Sequence, residues 1–134
     1  MGAAMTRILI VDDDRLVRWS LESALTSKGY DVVAVESAEK ALAELGAGCF
    51  DVAIVDVVLP GMDGLELTRQ FRSTCPGIKA IICTGQGSRE VEQRAREYGA
   101  FAYVEKPFSV KELTDVVEVA LRSKGVTDGQ GGIR

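Results

Sequence analysis

Four short apolar runs in this chain each end on a residue type that phosphoryl chemistry uses. Ile8-Leu9-Ile10-Val11 runs into Asp12 and Asp13, Val52-Ala53-Ile54-Val55 into Asp56, Ala80-Ile81-Ile82-Cys83 into Thr84, and Ala102-Tyr103-Val104 towards Lys106-Pro107. Open α/β sheets place ligands outside the carboxyl ends of parallel strands, so residues just past those ends converge even when distant in sequence. Converged, these would give three carboxylates, a hydroxyl and an ammonium. Clustered carboxylates repel by up to about 4 kcal/mol per close pair at an effective dielectric near ~20, and a hard cation relieves that repulsion.

Mg²⁺ suits such a cluster, since it takes oxygen ligands in an octahedron, commonly one or two carboxylates with waters and a phosphate oxygen. Asp13 and Asp56 can be the carboxylates, Asp12 can hold a metal-bound water, and the loop after Asp56 can offer the backbone carbonyl of Val58. A carboxylate beside the ion can attack phosphorus and form an acyl phosphate, with Lys106 neutralising charge on the transferring group. Thr84 offers a hydroxyl donor, and Gly85 removes the side chain that would keep backbone N–H groups from a phosphate. Lys106-Pro107 is a natural place for a cis peptide bond. Taken singly, each residue has a plainer reading: Asp56 as a strand-ending turn residue, Thr84-Gly85 as a turn, Lys106 as a surface lysine before proline. Their joint placement argues for a site.

The elements that must position these residues follow from the hydrophobic pattern. Apolar runs of four or five residues alternate with amphipathic stretches of helical length, the pattern of five βα units around a buried parallel sheet. The pattern predicts strands over residues 7–11, 31–35, 51–55, 79–83 and 101–104, and helices over 15–28, 38–45, 64–74, 89–98 and 110–123. Ser109 with Glu112 and Asp63 with Glu66 are spaced as capping boxes, Asp14 is placed as the N-cap of the first helix, and Gly29, Gly46 and Gly99 stand at expected C-caps. The fourth helix has only Val91, Ala95 and Tyr98 as an apolar stripe amid charged residues, so little burial anchors it; it is either a movable element or a solvated edge helix. Trp19 lies off the Val17, Leu21, Ala24 stripe of the first helix and is expected to be partly exposed, as a partner anchor or against the last helix.

Composition narrows the function classes. The 134 residues fit one domain, and no run approaches the roughly 18 apolar residues of a membrane span, so the expectation is a cytoplasmic protein without membrane association. A net charge of −4 without a Lys/Arg cluster disfavours direct nucleic-acid binding. Histidine is absent, which removes the commonest general base and transition-metal ligand. Cys49, Cys75 and Cys83 are odd in number and lack metal-ligand spacing, so reduced thiols are expected rather than disulfides. Residues 1–5 read as an N-terminal extension or expression scar, residues 6–124 as the folded domain, and the glycine-rich 125–134 as a flexible tail or linker stub.

Over residues 6–124 the chain resembles a response-regulator receiver domain, the phosphoacceptor module of two-component signalling. The resemblance is carried by Ile10-Val11-Asp12-Asp13-Asp14, by the stretch from Asp56 through Pro60-Gly61-Met62-Asp63-Gly64, by Thr84-Gly85, and by the stretch from Gly99 to Phe108. It implies a flavodoxin-like (βα)5 doubly wound α/β fold with strand order 2-1-3-4-5. Asp56 is then the phosphoacceptor, Asp12 and Asp13 the acidic pair, and Asp13, Asp56 and the Val58 carbonyl the Mg²⁺ ligands. Thr84 is the switch hydroxyl, Lys106 the family lysine and Tyr103 the switch aromatic. The implied donor is a sensor histidine kinase or phosphotransfer protein. The implied output is a change in the surface made by the fourth helix, fifth strand and fifth helix, acting on an effector domain or protein, with a phosphorylation-dependent dimer as one form.

Val17-Arg18-Trp19 and the 99–108 stretch resemble receivers of nitrogen-regulation-type activators. Val58, where the family often carries a polar side chain, and Gln86 bear on the lifetime of the phosphoryl group. Three alternatives remain: a degenerate receiver acting only as a binding module, a small aspartyl-phosphate phosphohydrolase, and a flavodoxin-type electron carrier. The second would need an acid at position 58, and the third would set Asp12-Asp13 against a flavin phosphate.

Overall fold

A computed structural model describes residues 5–85 and 87–123. The elements in chain order are β1 (Arg7–Val11), α1 (Arg15–Ser27), β2 (Asp31–Val35), α2 (Ala38–Leu45), β3 (Val52–Asp56), α3 (Gly64–Thr74), β4 (Lys79–Thr84), α4 (Arg89–Glu97), β5 (Ala102–Glu105) and α5 (Val110–Arg122). All strand pairs are parallel and the sheet order is β2-β1-β3-β4-β5, so the strand order implied by the resemblance holds.

The apolar runs look continuous because side chains alternate between two covered faces. Leu9, Val11, Ala53, Val55, Ala80 and Ile82 pack against α2, α3 and α4. Ile8, Ile10, Val52, Ile54, Ile81 and Cys83 pack against Leu21 and Leu25 of α1 and Leu113, Val117 and Ala120 of α5. The edge strands β2 and β5 are only partly buried, whereas every residue of β3 is buried.

The expected caps form, with differences. Asp14 accepts from the N–H groups of Leu16 and Val17, Asp63 from that of Glu66, and Ser109 from that of Glu112. Glu66 pairs with Arg69 and Gln70, so the hydrogen bonds observed at Asp63 are half of a capping box. Gly29 and Gly99 take φ of 94° and 93°, as C-terminal glycines do. Gly46 stays right-handed at φ −64°, because turn hydrogen bonds from Ala47 to Glu44 and from Gly48 to Leu45 carry the chain on past α2. The left-handed glycine there is Gly48, at φ 153°.

Strands β3, β4 and β5 each end one residue beyond the pattern-based boundary, at Asp56, Thr84 and Glu105. Ladder hydrogen bonds need no apolar side chain, and the Val57 N–H to Cys83 O and Lys106 N–H to Thr84 O bonds prolong the pairing. Residues 1–4, Gln86 and 124–134, and with them most of the expected N-terminal extension and the whole tail, lie outside the described residues. Among the described residues no helix is long and apolar enough to cross a membrane.

Candidate functional site

Strand order reverses between β1 and β3, the place where a doubly wound sheet opens a crevice at its carboxyl edge. The register pairs Val11 with Val55, Asp56 with Cys83 and Cys83 with Val104, so Asp12 and Asp56 leave the sheet at one level. Period-two alternation also sorts the residues by face: Asp12 follows Ile10, Asp56 follows Ile54 and Lys106 follows Val104, all on the α1/α5 side.

The three meet. The Lys106 ammonium donates to Asp12 Oδ2 at 3.1 Å and to Asp56 Oδ2 at 3.1 Å, and the Lys106–Pro107 bond is cis. Asp12 and Asp56 are buried, at 4% and 6% exposure, while Asp13 is exposed beside them. Carboxylate oxygens of Asp12, Asp13 and Asp56 lie within 4.8 Å of one another, an all-oxygen cluster that could hold a metal ion. Asp12 Oδ1 accepts from the Asp14 N–H at 2.9 Å, so both oxygens of Asp12 have protein partners. Asp56 Oδ1 accepts from the Val58 N–H at 3.3 Å, while the Val58 side chain points into solvent at 60% exposure.

Burial raises the Asp56 carboxyl above its ordinary value, reinforced by the Asp12 charge and only partly offset by Lys106. Burial works against the charge on Lys106, but the Asp12 and Asp56 carboxylates outweigh it and hold the ammonium above its ordinary value. The two shifts describe one arrangement: a shared cation with more negative charge around it than it neutralises. An extra hard cation fits that imbalance.

Thr84 ends β4 fully buried, one register step beyond Asp56, and alternation puts it on the Ile82 face with Tyr103, whose β5 position pairs with Ile82. Tyr103 is already half-buried against the core cluster that Ala95, Val91 and Tyr98 also join, and its hydroxyl is closed off from solvent over Gly87. Gly85 is exposed, and a Cβ there would meet only Lys106 Cβ at 3.9 Å, so packing does not require glycine at that position. Trp19 and its neighbour one turn back, Leu16, are 63% and 67% exposed, on the helix that borders a cleft lined by Asp14, Val17, Lys106, Pro107 and Phe108.

Three supporting residues escape a reading of strand ends. Arg18, one turn into α1, donates to the Asp12 carbonyl at 2.9 Å. Glu39 of α2 accepts from the Met62 N–H at 3.3 Å and steadies the β3–α3 loop. Gly64 packs so closely beneath β3 that a Cβ would overlap the Asp56 carbonyl oxygen and approach Val55 Cγ1 to 2.8 Å. Glycine at a helix start that already has an Asp N-cap is the sequence sign of such an approach.

The sequence matches the family model of the response regulator receiver domain over residues 8–118. This chain belongs to that family. Response regulator MprA of Mycolicibacterium vanbaalenii is 37% identical over 125 residues, which cover 93% of this chain and 54% of that protein. The DNA-binding transcriptional regulator NtrC of Salmonella typhimurium is 37% identical over 114 residues, 85% of this chain and 24% of that protein. The receiver domain thus spans about half the length of one relative and about a quarter of the other. Among solved structures, a CheY-like response regulator receiver domain protein from Methanospirillum hungatei superposes with a TM-score of 0.84 at 35% identity, covering 88% of this chain and 94% of that one. The chemotaxis protein CheY4 of Vibrio cholerae superposes at 0.82 with 30% identity, covering 87% and 99%.

Proposed function

We propose that this receiver domain accepts a phosphoryl group on Asp56 from the phosphohistidine of a sensor kinase or phosphotransfer protein, in the cytoplasm, and that the acyl phosphate alters the α4, β5 and α5 surface to control an effector domain or protein. The observation that carries the reading is the Lys106 ammonium, 3.1 Å from both Asp12 and Asp56, with Asp13 beside them. An Asp56 carboxylate oxygen attacks phosphorus as the P–N bond to the donor imidazole breaks, and the imidazole leaves with the electron pair. Lys106 is placed to follow the negative charge on the transferring oxygens.

Asp12, Asp13 and Asp56, with the Val58 carbonyl, would hold Mg²⁺, Asp12 chiefly through a bound water. When bound, the ion supplies charge neutralisation at the phosphoryl oxygens. The Thr84 hydroxyl and the Gly85 backbone are the donors assigned to the product phosphoryl group. Movement of Thr84 is read out through Tyr103, which shares its face of the sheet and packs on α4. The exposed Trp19, on the helix whose Val17 lines the cleft that reaches Lys106, is the anchor assigned to the phosphodonor. Control of transcription is the output that the names of the NtrC relatives suggest. The aliphatic, exposed Val58 leaves a phosphohydrolase without its second acid.

Incubation with a small acyl phosphate and Mg²⁺, followed by intact-mass measurement, tests the reading. The wild-type chain gains one phosphoryl group, and both Asp56→Asn and the chelated wild type gain none. Labelling of Asp56→Asn at the wild-type rate overturns the assignment. Hydrogen exchange with and without beryllofluoride tests the output, and equal protection of residues 89–103 at saturation would remove that surface from the mechanism.

A further inference from the structure

At the opposite end of the sheet from Asp56, two chain segments lie side by side and each carries a thiol. Cys49 is in the loop between α2 and β3, and Cys75 caps the C-terminus of α3. The Cys49 thiol donates to the Thr74 carbonyl at 3.8 Å, and the Cys75 thiol donates to the Phe50 carbonyl at 3.6 Å. Each sulfur therefore bonds the backbone next to the other's own residue, which brings the two segments together.

The Cys49 segment is held in place. Arg7 donates to the Cys49 carbonyl at 3.0 Å, its guanidinium stacks 4.2 Å from the centre of the Phe50 ring, and its backbone N–H donates to Asp51 at 2.9 Å. Exposure divides the pair: Cys49 faces solvent and Cys75 is buried. Burial and the adjacent Cys49 thiol push Cys75 up to about 11, which keeps it protonated and leaves Cys49 as the thiol that meets an oxidant first.

We propose that Cys49 and Cys75 are an oxidisable pair that a hydroperoxide closes into an intramolecular disulfide, tying the end of α3 to the foot of β3. The Cys49 sulfur gives up its proton and attacks one oxygen of hydrogen peroxide. The O–O bond breaks, Cys49 becomes a sulfenic acid, and the departing hydroxide takes up the thiol's proton as water. The Cys75 sulfur then gives up its proton and attacks the sulfenic sulfur; the S–S bond forms, the S–O bond breaks, and a second water leaves. Two thiols are oxidised by two electrons in all and one hydroperoxide is reduced. The closed loop contains β3, Asp56 and α3, so the bond staples the strand carrying Asp56 to the helix that follows it.

The test treats the full chain with hydrogen peroxide, denatures it, alkylates free thiols and maps the peptides. The expected result is a fall from three alkylatable thiols to Cys83 alone, with a Cys49–Cys75 linked peptide. The oxidised chain should melt about 5 °C or more higher, and dithiothreitol should reverse the shift. Cys83→Ser should still form the linked peptide, and Cys49→Ser should leave Cys75 and Cys83 both alkylatable. Cys49 converted to sulfinic acid while Cys75 remains alkylatable, or linked only to Cys49 of a second molecule, overturns the proposal.

Discussion

Helices α3 and α4 pack on the same face of the sheet yet are anchored very differently. Helix α3 buries Gly64, Leu65, Leu67, Thr68 and Phe71, and its first residue sits against the Asp56 backbone, where the Gly64 N–H donates to the Val57 carbonyl at 2.9 Å. Helix α4 buries Ala95 alone, with Val91 and Tyr98 half-covered. One observed tie between them is the Arg72 guanidinium, which donates to the Glu97 carbonyl at 2.6 Å and so caps α4 from its neighbour. The contrast teaches where rigidity is needed. The phosphoryl transfer proposed at Asp56 requires atoms fixed to a fraction of an ångström, and a helix locked by five buried residues suits that requirement. The output surface proposed at α4 would have to repack at low cost, and its few buried residues suit that.

The largest effect that would sharpen this contrast is Phe71→Ala, expected to destabilise the domain by about 4 kcal/mol in urea unfolding, as truncation of a buried aromatic does. Lys106→Ala should follow. It leaves the buried Asp12 and Asp56 carboxylates facing each other without their shared cation, at a cost of about 3 kcal/mol in chelator, and added Mg²⁺ should recover part of the loss.

Asp56→Asn goes the other way. Burial, with the Asp12 charge, raises the Asp56 carboxyl in the folded state, so its contribution favours folding most below the unfolded pKa and is lost as pH rises through the raised folded value. In chelator at neutral pH the Asn variant should therefore be more stable than wild type by about 1 kcal/mol. That gap should close as the pH falls into the ordinary carboxylate range, and a gap independent of pH would remove the repulsion argument.

The smallest effect is expected from Val91→Ala, about 0.5 kcal/mol globally, with faster amide exchange confined to α4. If it costs as much as Phe71→Ala, α4 is as firmly anchored as α3 and the contrast fails.

Sequence by itself determined the five βα units, the N-caps at Asp14, Asp63 and Ser109, the thin stripe of α4, and the placing of Asp12, Asp56, Thr84 and Lys106 at or just past strand ends. These are short-range properties, written in periodicity and in hydrogen bonds that close within a few residues. The strand order came from resemblance to a family, because local pattern does not say which strand lies beside which. Tertiary structure alone decided that Lys106 reaches Asp12 and Asp56 together, that Gly64 has no room for a side chain, that Arg18 holds the Asp12 carbonyl, that Tyr103 is already half-buried, and that the Cys49 and Cys75 segments lie side by side. Each of these depends on strand register and helix packing between residues far apart in sequence, where interstrand hydrogen bonds and close-packed side chains set distances that no local spacing encodes.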